Sequence, residues 1–360
     1  MTPRERILTA LSLREPDRVP VWVHAMNEIS IINIGKHFTE GLPEPKPINL
    51  MDQEEQMKLI ETAYLIHEEL EIDGITSLPL GEETPLDEKR YRDEWGAVLE
   101  RNQFGLAFPV EAVIKTPEDI RRYQPPTPNR DRDLFLLDMA QARFGNRLAQ
   151  FFMIDGVFTR GWEIRGMENL LMDMIDHPDL VHHIFQLVLD YNLEVIGFVA
   201  KAGADVIIIE DDFASNKSTI MSPAFFKEFI MPYNQRLLDR GHELGLKVVH
   251  HSDGNLWPIL DAMLDMGYDG LNPLQPQGGM DLKKVKDYCG GKICLLGNID
   301  CGDLLCFGTG EEVEAAVINA IIAAAPGGGY ILCDSNTIHP GVKPENFLAM
   351  IKAAKKHGMY

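Results

Sequence analysis

Cysteine is scarce and poorly placed for cross-linking: the 360 residues hold five, Cys289, Cys294, Cys301, Cys306 and Cys333, an odd number confined to the last quarter. That excludes a disulfide framework and fits a reducing compartment. Basic side chains are also in deficit. With 34 Lys and Arg against 55 Asp and Glu, the net charge of -21 repels phosphate backbones and anionic lipid, so neither nucleic acid nor a membrane surface is an expected partner. Arginine is missing altogether between Arg18 and Arg90. Long apolar runs are lacking too: the most apolar stretch, Ala315 to Ala325, is too short to cross a bilayer and follows Glu311, Glu312 and Glu314, so it reads as a packed helix. The opening Met-Thr-Pro-Arg-Glu-Arg has no apolar stretch behind it, which argues against a signal peptide and leads to the expectation of a cytoplasmic protein. There is no phosphate-binding loop, because Gly327-Gly328-Gly329 precedes a strand and lacks the Lys-Ser/Thr that such a loop carries.

What is present is regular. Thr2 caps a first helix, with Pro3 at its first position, Glu5 closing a capping box, and Leu8, Leu11 and Leu13 on its apolar side. A helical run from Glu54 to Leu70 lies between apolar strands at Val19 to Val23 and Asp73 to Leu80, with a Pro-rich loop over Leu42 to Ile48. From residue 145 onward, short apolar runs alternate with amphipathic helices at a spacing that suits βα units. The expected strands are Ala149 to Ile154, Val206 to Ile209, Lys247 to His250, Gly270 to Asn272, Ile293 to Leu296 and Tyr330 to Leu332. Ser222 before Pro223, and Thr309 with Glu312, mark helix starts between them. Eight strands in this order favour closure, so the expected fold is α/β, a (β/α)8 TIM barrel with an N-terminal helical extension, built as one domain over residues 1–360.

In a parallel barrel the reactive groups collect just past the C-terminal ends of the strands. Here those positions are acidic. Glu210, Asp211 and Asp212 follow one strand; His250, His251, Ser252, Asp253, Gly254 and Asn255 end the next; Cys333, Asp334, Ser335 and Asn336 end the last. A period of two puts Glu210 with Asp212, and His251 with Asp253, on common faces, which predicts a zinc site built from these groups and Cys333. Carboxylates at such ends also cap loops or pair with Arg and Lys, an equal expectation for Asp211 and Asp253. His250, on the opposite face from His251, reads as structural. Trp22, His24, Phe152, Phe158, Trp162 and Phe213 are candidates for the lining of a substrate pocket, although aromatics at such positions are more often simply buried.

Several segments together resemble the uroporphyrinogen decarboxylase superfamily over essentially the whole chain. They are Thr2-Pro3-Arg4-Glu5-Arg6, Pro16-Asp17-Arg18-Val19-Pro20, His251-Ser252-Asp253-Gly254-Asn255, Gly297-Asn298-Ile299-Asp300 and Pro344-Glu345-Asn346. The resemblance implies a (β/α)8 barrel and two branches of chemistry: cofactor-free decarboxylases, and zinc-dependent methyltransferases that work with a corrinoid protein. Decarboxylases of this superfamily carry an arginine motif after the first strand to hold substrate carboxylates, whereas Trp22 to Asn27 contains no arginine. Thiol-methylating members hold zinc with a His-x-Cys pair and a later Cys; His251 and Cys333 match, and Asp253 stands at the middle position. The resemblance therefore implies a metal set of His251, Cys333, Asp253 and Glu210, with Asp212 as a further candidate and Cys301 left open. His251, Asp253, Glu210 and Asp212 are the expected catalytic groups.

A carboxylate in place of thiolate makes zinc a stronger Lewis acid toward oxygen, which suits the ether-demethylating relatives. The implied reaction moves methyl from a methoxylated aromatic compound to the cobalt of a cobalamin-type corrinoid on a partner protein, with His24 or His250 as proton donor. Expected partners are thus the corrinoid protein and a small aromatic methyl ether, and a homodimer is left open. A methylcorrinoid:thiol methyltransferase and a non-catalytic barrel homologue are the alternatives.

Overall fold

The computed structural model describes all 360 residues. In chain order its strands are β1 (Ala25–Met26), β2 (Gly74–Ser77), β3 (Glu83–Pro85), β4 (Arg90–Asp93), β5 (Val98–Arg101), β6 (Ala107–Glu111), β7 (Ala149–Asp155), β8 (Val206–Glu210), β9 (Lys247–His251), β10 (Gly270–Asn272), β11 (Cys294–Ile299), β12 (Tyr330–Asp334) and β13 (Thr337–Ile338). Seven of them form one parallel sheet in the order β12-β11-β10-β9-β8-β7-β2. Helices, among them Val157–Arg165, Pro178–Lys201, Gly310–Ala324 and Pro344–His357, connect and cover these strands, which gives an α/β architecture of the TIM-barrel type.

The expected first strand is the seam. Val19 to Val23 is extended but irregular; it bonds to β12 on one side, where Leu332 N–H donates to Pro20 O (2.9 Å) and Trp22 N–H to Leu332 O (3.0 Å). On the other side Asp73 N–H donates to Val21 O (2.8 Å). The Asp73 carboxylate adds a second tie, accepting from Val21 N–H (2.8 Å) while Arg6 and Arg18 reach it at 2.9 and 3.2 Å.

Alternation along the strands divides the core in two. Ala149, Phe151, Val206, Ile208, Val249, Cys294, Leu296, Ile331 and Cys333 point inward and pack with Ile7, Ala10 and Leu11 of the first helix, Pro3–Leu11, which plugs the N-terminal end. That helix stops at Leu11, because Leu13 sits at φ 59°, outside the helical region. Phe152, Ile154, Ile207, Ile209 and Val248 point outward, into the layer between strands and helices.

The main departure from expectation lies after β2. The strand ends at Ser77 rather than Leu80, and the chain then builds a four-stranded antiparallel sheet, β3-β4-β5-β6, before returning to β7. Its strands are short and charged on their exposed positions, Arg90, Arg92 and Glu100 among them, so no apolar period marks them in the sequence. No helix is long and apolar enough to cross a membrane.

Candidate active site

Strand register assembles the site. Asp155 lies opposite Glu210, Glu210 opposite His251, and His251 opposite Asn272, so four neighbouring strands present one row at their C-terminal ends. Period two points this row the same way as Ile208 and Val249, into the barrel. Around it two groups of donor atoms come together, each with all members within 4.8 Å of one another: His24, Glu210 and His251, and Asp212, His251 and Asp253. His251 belongs to both.

The tautomer of His251 follows from its neighbour. Asn272 Nδ2 donates to Leu296 O (3.2 Å) and to Cys333 Sγ (3.3 Å), which leaves Asn272 Oδ1 facing His251 Nδ1 at 2.6 Å. An amide oxygen only accepts, so Nδ1 carries the hydrogen and Nε2 looks into the carboxylates, 3.9 Å from Asp253 Oδ1. An imidazole fixed through its far nitrogen in this way is the arrangement that orients a metal-binding histidine.

Charge accumulates here without its counterpart. Burial pulls the His251 pKa down, yet Glu210, Asp253 and Asp212 together raise it above the ordinary histidine value. Burial pushes the Asp253 carboxyl up to about 6 against the opposing pull of His251. Burial likewise disfavours the Glu210 carboxylate, but His24 and the charge of His251 hold its pKa below the usual range. Asp253 Oδ2 accepts from the Asn336 amide, while its Oδ1 is buried with no hydrogen-bond partner. Each trio combines imidazole with carboxylate, and the one holding Asp212 and Asp253 includes an orphaned carboxylate oxygen, a donor set that suits a divalent cation.

The structure thus brings Glu210, Asp212, His251 and Asp253 together and adds His24, whose ring stacks on His251 (centroids 4.2 Å apart, planes 10°) and whose Nε2 faces Glu210 Oε1 at 3.8 Å. Cys333 is not brought to either group. Its thiol is fully buried among Cys294, Leu296 and Ile331, accepts from Asn272, and is pushed by burial well above the normal thiol range. Beyond the last strand it is Asn336, three residues later, that reaches Asp253. Cys301 also stands outside both groups, with Ser335 Oγ–H donating to its sulfur (3.4 Å).

His250 faces outward, stacks on Phe213 (5.1 Å), and is pushed by burial down to about 3, so it is a neutral packing group and not a proton donor. Phe152, Phe158 and Phe213 are buried in the outer core layer. Trp22 is buried in the barrel interior, stacked on Phe151 (4.6 Å), with Nε1–H donating to Thr76 Oγ1 (3.0 Å). Trp162 is half-buried against the same outer layer. Asp211 is structural, accepting from Thr159 N–H (2.7 Å), Phe158 N–H (3.4 Å) and Asn234 Nδ2 (3.2 Å). Two acids near the row carried no expectation: Asp334 and, on the helix Val157–Arg165, Glu163, each pushed by burial up to about 7. Only the strand-end position of Asp334 signals it in the sequence.

Residues 108–357 match the uroporphyrinogen decarboxylase (URO-D) family. The chain belongs to that family. Its relatives divide in activity. One is a methylcobamide:CoM methyltransferase, MtbA, from Methanosarcina mazei, 24% identical over 251 residues, covering 69% of this chain and 71% of the relative. Another is a uroporphyrinogen decarboxylase from Hydrogenovibrio crunogenus, 26% identical over 190 residues, of whose length the chain spans about half (49%). Among solved structures, a methyltransferase from Methanosarcina mazei superposes with a TM-score of 0.76 over 99% of both chains at 21% identity, a likeness of fold. Within the URO-D family the contents of the barrel mouth therefore have to discriminate between reactions.

Proposed function

We propose that this URO-D family member is a metal-dependent methyltransferase that passes a methyl group from the ether oxygen of a methoxylated aromatic compound to the cobalt of a corrinoid held by a partner protein. The observation that carries the reading is that His251, an oriented imidazole, belongs to two adjoining trios of donor atoms, one with Asp212 and Asp253 and one with His24 and Glu210, and neither includes a thiolate. His251, Asp253, Asp212 and Glu210 are the residues to hold zinc. When bound, the ion supplies a Lewis acid that stabilises negative charge on the departing oxygen.

The rest falls to the protein's own groups. Asn272 keeps the His251 proton on Nδ1, and Asn336 orients Asp253. Burial first, and the charge of His251 second, lower the pKa of His24 and keep it neutral, so its stacked ring bounds the site without adding charge. In the transfer the C–O bond breaks with its electron pair left on oxygen, and the reduced cobalt provides the pair that forms the new bond to carbon. A phenol has a pKa of about 10, so loss of its anion at neutral pH needs this stabilisation.

Decarboxylation of a polycarboxylate is disfavoured by the same electrostatics. Beside the strand-end row, Arg160 is already engaged by Asp93 (2.9 Å), Glu163 (2.7 Å) and Asp155, and the groups around His251 are anionic. Desolvated substrate carboxylates would find no free guanidinium there. A second reading, methyl transfer from a methylcorrinoid to a thiol, is supported by the likeness to MtbA.

The test is to mix the zinc-loaded protein with a corrinoid protein in the cobalt(I) state and a panel of methoxyarenes, and to follow the cobalt spectrum. Methylation with at least one ether, lost in His251→Ala together with stoichiometric zinc, is expected. Turnover of a small thiol with every ether inert would select the second reading, and full activity in metal-free protein would remove the metal from either.

A further inference from the structure

Strand register sets Asp155 directly opposite Glu210, which in turn lies opposite His251, so Asp155 closes one side of the row at the mouth. The row opens to solvent through its acids. The side chains of Asp155, Glu210 and Asp253 are 36, 28 and 24% exposed, and Asp212 is half-buried, whereas the rings of His24 and His251 are only 2% exposed. A molecule entering the mouth meets carboxylates before it meets either imidazole.

The cations do not offset this. Arg160 reaches the row through its bond to Asp155, yet Asp93 (2.9 Å) and Glu163 (2.7 Å) share the same guanidinium. Three carboxyl groups on one guanidinium leave no positive charge free for a substrate. Arg165, on the same helix, is buried against Asp173 (2.6 Å) and the carbonyls of Ile114 and Lys115. The loops after β8 and β9, residues 211–222 and 252–259, contain one basic side chain, the exposed Lys217. A divalent ion held by Glu210, Asp212 and Asp253 offsets two of their three charges and leaves Asp155 as it is.

Resting on the methyltransferase reading above, we infer that the mouth selects methyl donors without an acid group, so that its substrates are uncharged methoxyarenes rather than methoxybenzoates, with Asp155 as the residue that sets this choice. The physical reason is desolvation. A carboxylate that leaves water has to find an opposite charge or hydrogen-bond donors, and at this mouth it finds like charges. Repulsion of the wrong substrate gives specificity as attraction of the right one does. Asp155 has the deciding place because it is the more exposed acid of the row and the one bonded to Arg160. It adds a negative charge and withholds a positive one; an uncharged side chain there does neither.

The test pairs vanillyl alcohol with vanillate, which have nearly the same shape and differ in charge. Binding of each to the zinc-loaded protein is measured by calorimetry without a corrinoid protein, so that no turnover occurs. The kcat/KM of each is then measured with a corrinoid protein in the cobalt(I) state. At low salt the alcohol is expected to bind and react at least about tenfold better. The gap should narrow as ionic strength rises, because a preference of charge is screened and one of shape is not. Asp155→Asn is expected to move the ratio toward vanillate by at least about fivefold. Equal use of the two donors overturns the inference and leaves the methyltransferase reading standing. A preference for vanillate that is lost in Lys217→Ala does the same and assigns charge recognition to the loop after β8. A preference for the alcohol that neither salt nor Asp155→Asn moves assigns the choice to shape and also overturns the inference. A wild type inert with every ether, whether or not tetramethylammonium reacts in their place, overturns the ether reading and the inference with it.

Discussion

At the scale of single residues, the site is a competition between protons and a cation for the same atoms. Both Asp253, pushed by burial up to about 6, and His251, raised above its ordinary value once the facing carboxylates outweigh burial, hold protons that a metal has to displace. The sign is therefore fixed: affinity for zinc rises with pH, and on acidification it falls first as His251 protonates above its ordinary value and again through about 6 as Asp253 does, by roughly tenfold per pH unit for each proton displaced. Competition with a chromophoric chelator between about pH 5 and pH 8 measures it. A flat profile would mean that neither group is a ligand. The sequence placed Glu210, Asp212, His251 and Asp253 correctly as neighbours, because strand period and the barrel's reactive end are both readable from residue order. It pointed to His24 only as pocket lining or proton donor, not as a neighbour of Glu210 and His251, and gave Asn336 no role, since both side chains come from irregular segments where no period says which way they point. Cys333 was misjudged for a related reason. Period two indicates that a side chain points into the barrel, but not whether it lies at the open mouth or among Cys294 and Ile331 below it.

At the scale of elements, the helix Val157–Arg165 is set by an unusually close approach. Gly156, its N-cap, has an ordinary φ of -72°, so it is not glycine for conformational reasons. A Cβ there would lie 2.1 Å from the Asp211 carboxyl carbon, inside the network that joins the end of β8 to the first turn of the helix. Gly156→Ala is expected to cost about 1–3 kcal/mol in urea unfolding through this overlap and to shift the helix that carries Arg160 and Glu163. Wild-type stability in the alanine variant would show that the network yields without cost. The parallel strands were legible because their apolar runs are nearly continuous, as expected for strands covered on both sides. The rim sheet β3–β6 was not, because its strands are only three to five residues long and one of its faces is open to water.

At the scale of the whole molecule, the barrel depends on a seam held by one buried carboxylate. Asp73 ties Val21 through both side chain and backbone and gathers Arg6 and Arg18, so helix, seam and sheet share a single anchor. Removing it leaves the largely buried Arg18 guanidinium without its partner and Arg6 with Asp17 alone. Asp73→Ala should therefore cost about 3–5 kcal/mol, well above a surface substitution, as read by denaturant midpoint at constant m-value. A change under about 1 kcal/mol would show that the seam is held by the backbone bonds alone.

The order of strands and helices, the acidic mouth and four of the side chains that gather there were written in the residue order, because they follow from periodicity and from which end of a strand a residue occupies. Depth, register and the company each side chain keeps were decided only on folding. Register is what puts Asp155, Glu210, His251 and Asn272 in one row, and three-dimensional proximity is what gives Asp253 the amide of Asn336 rather than the thiol of Cys333. Residues far apart in the chain meet through the closure of the barrel, and no local pattern encodes the distance between them.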